Sequence, residues 1–257
     1  VVVVAILLDK NPMTLFAGLG ATSAVLMLVF KDTITGLAAG VRLTSNDMLH
    51  KGDWITVKSV DANGIVEDMS LTTVKVRNFD NTIVTISPIT LVNGSFQNWI
   101  GMQKSGGRRV KRVVYFDFRS VRLVDETLKR NLLAKHFATE DSFKLKESLQ
   151  KAIDKDIQEG KDIEDLKNPA ALAPTNLQLY RKFMEKYLRQ RPEVNTDLTL
   201  MVRHMEATQC GLPIEFYFFI KDKVWVNYEH ILADIMEHAY ALANEFGLKI
   251  YEQYPEQ

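Results

Sequence analysis

The feature that most constrains this chain is an 18-residue run without a charged side chain, Met13–Phe30. As an α-helix with a rise of ~1.5 Å per residue, the run would be roughly 27 Å long, close to the ~30 Å hydrocarbon core of a bilayer. Asn11 can cap such a helix, and Pro12 fits its first turn, where a missing N–H costs nothing. The run therefore predicts a transmembrane helix. The shorter apolar segment Val1–Leu8 we interpret as the end of another membrane helix, with further helices upstream.

Small side chains are frequent in this run, namely Ala17, Gly18, Gly20, Ala21, Ser23 and Ala24. Small residues allow the backbones of membrane helices to approach closely. We therefore expect Ala17, Gly20 and Ala21 to pack against other helices, which a helix that only anchors a protein in lipid does not need.

Three other interpretations of the run are less favoured. A buried core helix of a soluble protein would have similar composition. A signal peptide is disfavoured because no basic segment leads in and no cleavage pattern comes after it. A dinucleotide-binding loop at Gly18–Ser23 would need a strand directly before it and a helix with a polar face after it, and the next residues are uniformly apolar.

A second, amphipathic helix is predicted over Thr33–Leu43, where apolar residues recur at helical spacing. The charged pair Lys31-Asp32 separates the two helices, and Gly36 and Gly40 come after it. This arrangement indicates a bend. Residues 1–48 are therefore predicted to contain the end of one membrane helix and a kinked helix.

From residue 49 the pattern changes to short alternating strands separated by turn residues. Five strands are predicted, Asp53–Lys58, Gly64–Met69, Thr72–Asn78, Thr82–Ile86 and Ser95–Trp99. Five short strands within about fifty residues indicate a small all-β, Sm-like barrel over 49–105.

Residues 106–257 are predicted to form an α+β domain after a hinge at Gly106-Gly107. The predicted elements are strand Val110–Phe118, helix Val121–Phe137, a charged helical stretch Ser142–Lys167, helix Leu177–Arg189, strands Asp197–Ala207 and Ile214–Lys221, helix Asn227–Phe246 and strand Lys249–Tyr251. Without the helical insertion at about 139–174, the order is β-α-β-β-α-β, that of a split βαβ (ferredoxin-like) sandwich.

Composition argues against several functions. The charges balance, with 32 basic and 32 acidic residues, which disfavours nucleic-acid binding through bulk charge. The single cysteine, Cys210, excludes an internal disulfide and suits a reducing compartment. The five histidines lie in different predicted elements without metal-ligand spacing, and no catalytic motif appears. We expect no enzyme activity, no metal and no cofactor.

A basic cluster lies just after the predicted barrel: Lys104, Arg108, Arg109, Lys111 and Arg112. It is most simply the solvent-facing start of a strand. It would also suit a vestibule wall, since charged linings bias which ions concentrate there.

The motifs of this chain resemble those of the small-conductance mechanosensitive channel (MscS) family. The matching segments are Gly36–Val41 at the end of the helix, Lys51–Ile55, Gly64–Thr73 and Asp80–Pro88, with Gly211–Phe219, Trp225 and Tyr228-Glu229 near the C-terminus. The insertion and the C-terminal pattern look most like the larger, YbdG-like miniconductance branch. The resemblance covers essentially the whole chain.

This resemblance implies a homo-heptamer in the bacterial inner membrane, with the C-terminal domains forming a cytoplasmic vestibule. Each subunit would contribute one pore-lining helix to a channel opened by membrane tension, which releases ions and small solutes during hypo-osmotic shock. The family's two rings of pore leucines align with Ala24 and Leu28, so Leu28 is the expected constriction. Its kink glycine aligns with Asp32, so Lys31, Asp32, Gly36 and Gly40 are the expected gating positions.

The residue pattern of the helix is compatible with a pore, because an apolar ring of Leu28 side chains would close such a pore by dewetting. Arg42 and Lys51 favour a cytoplasmic location for the domains after the membrane helices. The alternative is a membrane-anchored scaffold whose cytoplasmic domains bind a partner. An anchor would be richer in leucine than Met13–Phe30 is.

Overall fold

The computed structural model of the chain describes residues 11–144 and 173–253, together with Lys151, Asp154, Lys155 and Gln158. The chain divides into two compact units, one ending at Lys104 and the other beginning at Ser105. Val1–Leu8 and most of the insertion predicted at 139–174, including most of Ser142–Lys167, lie outside the described residues. The three domains predicted from the sequence stay a prediction.

The first unit opens with a long helix, α1, Pro12–Ser45. Its 34 residues would extend about 51 Å. The predicted start is confirmed, because the Asn11 side chain accepts the Met13 N–H at 2.9 Å and Pro12 occupies the first turn.

The predicted break into two helices is wrong, because α1 continues through Lys31-Asp32. Neither residue removes a backbone donor, and a helical glycine costs only about 1 kcal/mol relative to alanine. Gly36 and Gly40 therefore weaken the helix without ending it. The Lys31 carbonyl, which accepts a backbone N–H as in any α-helix, also accepts the Thr35 hydroxyl at 2.7 Å.

The next elements are five short strands, as predicted. They are β1 Trp54–Val57, β2 Ala62–Met69, β3 Val74–Asn78, β4 Ile83–Ile86 and β5 Gln97–Asn98. All neighbours are antiparallel, in the order β4-β3-β2-β1-β5. Alternate side chains fill one apolar core, which includes Ile55, Val57, Val66, Val74, Val76 and Ile86. The register of β2 against β3 shifts between Val66 and Asp68, where a bulge bends the sheet.

Two short helices of this unit were not predicted, α2 Pro88–Asn93 and α3 Ile100–Lys104. α2 begins with a proline at its first position and buries Pro88 and Leu91. At five or six residues, both helices are too short to carry a hydrophobic period, so the sequence pattern could not separate them from turns.

The second unit contains β6 Arg108–Phe116, α4 Glu126–Ala134, α5 Asn176–Gln190, β7 Met201–His204, β8 Leu212–Ile220 and α6 Trp225–Glu245. The sheet order is β6-β8-β7, antiparallel throughout. β6 and β7 therefore run parallel on either side of β8, which confirms the split βαβ arrangement.

The predicted last strand, Lys249–Tyr251, is wrong as a strand. Only an isolated bridge joins Ile250 to Phe116, at the free edge of β6. The segment around Ile250 lies beside β6, where the fourth strand of a split sandwich would pair. The Tyr251 N–H also donates to the Tyr115 carbonyl at 2.8 Å.

Helix α4 is shorter than predicted at both ends. Asp125 caps its start by accepting the Leu128 N–H at 2.7 Å, so the residues from Val121 on lie outside it. At the other end His136 has a left-handed backbone, with φ +58°, which stops the helix before the predicted Phe137.

The core of this unit lies between the helices and one sheet face. Leu212, Ile214, Phe216, Phe218 and Ile220 alternate along β8 and are buried with residues of α5 and α6. The buried Tyr180 hydroxyl donates to the Ala239 carbonyl at 2.6 Å, which ties α5 to α6.

Candidate functional site

The candidate site is helix α1 and its junction with the β-sheet of the first unit. Ala17, Ala21, Ala24 and Leu28 are spaced by four, three and four residues, so they share one face of the helix. All of them are exposed, Leu28 by 73%. No other part of the described chain lies within 4 Å of a side chain built at Gly18 or Gly20. This face is therefore open to whatever surrounds the chain.

Length and composition make Phe16–Ser45 a candidate membrane span, with few of its residues buried against the rest of the unit. The large apolar side chains at Leu26, Leu28 and Phe30 are more than half exposed. A helix that exposes apolar residues on several sides has the surface expected in lipid or against other helices.

The four predicted gating residues divide between an open and a packed part of α1. Lys31 and Asp32 are exposed, and a side chain built at Gly36 would meet no atom within 4 Å. Gly40 is buried, and a Cβ there would collide with the backbone carbonyl of Leu71. Of these four residues, only Gly40 is held close to the β-sheet.

The packed part of α1 consists of Ala39, Gly40 and Leu43. Ala39 and Leu43 are buried, and Leu43 belongs to the apolar core of the β-sheet. Leu71, which faces Gly40, lies in a turn between β2 and β3 that is closed by a bond from Ser70 N–H to the Thr73 carbonyl at 2.8 Å. The end of the helix is thus part of the core of the five-stranded sheet of the first unit, which we call the β-unit.

The helix ends in a Schellman motif, in which the last carbonyls accept bonds from residues beyond the helix. Met48 N–H donates to the Leu43 carbonyl at 3.0 Å, and Asp47 N–H to that of Thr44 at 3.3 Å. Asp47 takes the left-handed position, with φ +53°, that glycine usually occupies.

A buried carboxylate organises the connection from α1 to β1. One Asp53 oxygen accepts the His50 backbone N–H at 3.0 Å and the Asn98 amide at 2.8 Å. Asn98 also donates to the Met48 carbonyl at 3.2 Å. The sequence motif Lys51–Ile55 does not reveal this network, because Asn98 lies 45 residues after Asp53.

Two residues of the predicted basic cluster, Arg108 and Lys111, have partners within the second unit. The Arg108 guanidinium lies 4.2 Å from the centre of the Tyr228 ring. Lys111 lies 3.6 Å from Glu215, whose other oxygen accepts the Arg203 Nε–H at 2.5 Å. The hydrogen bond from Arg203, with the charges of both cations, lowers the pKa of the Glu215 carboxyl.

No group of three or more histidine, cysteine, aspartate or glutamate side chains suited to a metal ion occurs among the residues that the structure describes. His50 is exposed near two carboxylates, and His238 bonds to the Asp234 carbonyl at 2.8 Å within its own helix.

Comparison with known families matches residues 32–101 to the model of the mechanosensitive ion channel β-domain. Among curated relatives, the small-conductance mechanosensitive channel MscMJ of Methanocaldococcus jannaschii is 34% identical over 84 residues, which are 33% of this chain and 23% of the relative. The large-conductance channel MscMJLR of the same organism is 30% identical over 129 residues, 50% of this chain and 35% of the relative. The matches thus span about a quarter to a third of these relatives.

Solved structures share the fold over nearly the whole chain. The closed-state crystal structure of Helicobacter pylori MscS has a TM-score of 0.58 and 14% identity, and the match covers 96% of this chain and 73% of that one. Arabidopsis thaliana MSL1 has a TM-score of 0.59 and 10% identity, over 94% and 66% of the two chains. The resemblance seen in the sequence motifs is therefore confirmed: this chain has the MscS-type fold and carries the β-domain of the mechanosensitive channel family.

Proposed function

We propose that this chain forms the pore and the cytoplasmic part of an ion channel opened by membrane tension, which releases ions and small solutes during hypo-osmotic shock. The observation that carries the proposal is α1. Its small-residue face is open along the first part, while near its end Ala39 is buried and Leu43 belongs to the core of the β-unit. The similarity to mechanosensitive channels supports the same function.

In this proposal several copies of α1 surround a pore, and the face of Ala17, Ala21, Ala24 and Leu28 lines it. Leu28 is the bulky residue of that face, so a ring of its side chains closes the pore by dewetting. Gly20 and its small neighbours permit close helix packing. Tension favours the state with the larger area in the membrane, so opening is a shift between two populations.

The proposed assembly is a homo-heptamer in the bacterial inner membrane, with residues 51–257 in the cytoplasm. The exposed apolar side chains of α1 need lipid or other copies around them, and Arg42 and Lys51 near the end of the helix favour this orientation. The partners are copies of the chain, the bilayer and the permeating ions. The proposal requires no catalytic residue, metal, cofactor or nucleic acid. The finer assignment to the YbdG-like branch stays a prediction.

Patch recording of the full-length protein under suction tests the proposal. Leu28→Ser should hydrate the closed pore and lower the tension needed to open it. Leu26→Ser is the matched control, since Leu26 is also more than half exposed but lies on the opposite side of α1. It should leave the threshold nearer that of the parent protein. Enlarging Ala24 should raise the threshold by crowding the helices. Asp32→Gly should change open-state lifetime more than conductance.

A protein that tension never opens would contradict the proposal and favour the membrane-anchored scaffold. If both leucine variants shift the threshold equally, Leu28 is not the constriction.

A further inference from the structure

A second feature, independent of whether the chain forms a channel, is a pocket of about 150 Å³ in the second unit. It is lined by the residues after α4, from His136 to Thr139, by Ser142, and by residues of α5. Five of the lining side chains are able to donate hydrogen bonds: His136, Thr139, Ser142, Lys182 and Lys186.

The charge of the pocket comes from Lys182 and Lys186, which are four residues apart on one face of α5. Among the described residues, neither lysine forms an ion pair. Like charges at this spacing repel each other, so the pocket has a positive potential that a bound anion would lower.

In the described part of the chain, three carboxylates close in sequence to the pocket residues have other partners. Asp141 is paired with Lys144 at 2.6 Å, and the charge of Glu140 also acts on Lys144. Glu185, on α5 itself, accepts the Val202 N–H at 3.0 Å.

Hydroxyl groups and aromatic rings also line the pocket. Thr139 and Ser142 hold each other in place, with 3.1 Å from Thr139 N–H to the Ser142 hydroxyl and 3.2 Å between the two hydroxyl oxygens. The rings of Phe137 and Phe183, which also line the pocket, pack edge to face with centres 5.2 Å apart. His136, Thr139, Lys182 and Lys186 are exposed, so a ligand can reach their donor groups. Several convergent donors beside apolar rings favour a compact ligand with several acceptor oxygens.

His136 provides a second, independent observation. It ends α4 in a Schellman motif, with Phe137 N–H bonded to the Leu132 carbonyl at 2.9 Å and a φ of +58°. The same position at the end of α6 is Gly247, with φ +65°, the residue that this backbone favours. His136 differs from Asp47, which has the same backbone at the end of α1, in that its side chain lines a pocket.

We infer that this pocket binds a phosphate group, held by Lys182 and Lys186 with His136 and the two hydroxyls as further donors. Two lysines balance a doubly charged phosphate, and lysine binds phosphate as a point charge. The group belongs either to free phosphate or to a lipid headgroup, which share this chemistry.

Calorimetric titration of the purified full chain, at constant ionic strength, tests the inference with inorganic phosphate and with dihexanoyl phosphatidic acid as probes. Lys182→Gln and Lys186→Gln should each weaken binding roughly tenfold, the effect of losing one charged hydrogen bond. Arg189→Gln removes the same charge from the last turn of α5, outside the pocket, and should leave the affinity unchanged.

His136→Gly separates binding from folding. It removes the imidazole but gives the left-handed position its preferred residue, so the melting temperature should stay the same or rise while phosphate binding weakens several-fold. Binding of either probe with these losses supports the site, and the probe that binds more tightly identifies the source of the phosphate. No binding of either probe, or equal losses in Arg189→Gln, would overturn the inference.

Discussion

Helices α1 and α6 are both long and rich in apolar residues, yet they bury very different fractions of themselves. α6 places Leu232, Ile235, Met236 and Ala239 in the core of the second unit. α1 leaves Leu28, Val29 and Phe30 exposed and buries side chains mainly near its end. An apolar helix stripe needs a partner surface. α6 finds that surface in its own chain, and α1 needs one outside it.

The comparison predicts different responses to truncation. Ile235→Ala should lower the free energy of unfolding by about 2–5 kcal/mol, because it opens a cavity in a closed core. Leu26→Ala, an exposed position of α1, should change it by no more than about 0.5 kcal/mol. Thermal unfolding of the purified full chain measures both. An equally large loss in Leu26→Ala would mean that α1 is packed as tightly as α6.

Two glycines sharpen the comparison within α1. Gly40→Ala should destabilise the first unit by about 1–3 kcal/mol, since its Cβ would collide with the Leu71 backbone. Gly36→Ala places the same methyl group in open space and should stabilise the helix by about 1 kcal/mol. Denaturant titration followed by tryptophan fluorescence in a Trp225→Phe background, which leaves Trp54 and Trp99, would report on the first unit. Opposite signs support a helix that is packed only at its end, and equal losses would contradict it.

The sequence predicted the strands of the β-unit well because turn residues bound them and their apolar residues alternate. It predicted α1 less well. Lys31-Asp32 and Gly36 looked like a boundary, but none of these residues removes a backbone hydrogen bond, so the helix continues. The last strand was overestimated because Lys249–Tyr251 has strand-like residues but meets only the end of β6.

The second unit contains an ion pair whose contribution depends on pH. Glu215 is buried and its pKa is lowered by Arg203 and Lys111. A carboxyl whose pKa is lower in the folded protein stabilises it above its unfolded pKa, near 4.5, and loses that contribution as pH falls through the folded value. Glu215→Gln should therefore cost about 1 kcal/mol at pH 7.

Melting temperatures of the parent and Glu215→Gln proteins, measured from pH 7 down to below 4, test this. The difference should shrink as the pH falls. A difference that stays constant would show that the loss comes from packing and not from charge.

The smallest expected effect concerns how helices end. Asp47→Gly should stabilise the first unit by about 0.5–1 kcal/mol, because φ +53° suits glycine. Gly247→Ala should destabilise the second unit by about 1 kcal/mol for the same reason. Chemical denaturation of each variant gives the sign. A destabilised Asp47→Gly would mean that the contact between Asp47 and His50, at 3.5 Å, outweighs the backbone strain.

Less of the candidate site than of the fold was predictable. The shared face of Ala17, Ala24 and Leu28 results from helical spacing, which is a local property. The close approach of Gly40 to Leu71 and the bonds of Asp53 to Asn98 join residues far apart in sequence, and no local period encodes such contacts. The sequence therefore indicated Gly40 as a gating position, but not as a packing position.

The network around Asn98 has a mechanical consequence. Asn98 holds Met48 and Asp53, the two ends of the connector between α1 and β1, and β1 is bonded on both sides, to β2 and to β5. A displacement of α1 therefore reaches the sheet through a connector that hydrogen bonds hold to β5. Because β1 is hydrogen-bonded on both edges, a force on the connector is distributed over both neighbouring strands. Displacement of the helix is then expected to move the sheet rather than to extend the connector.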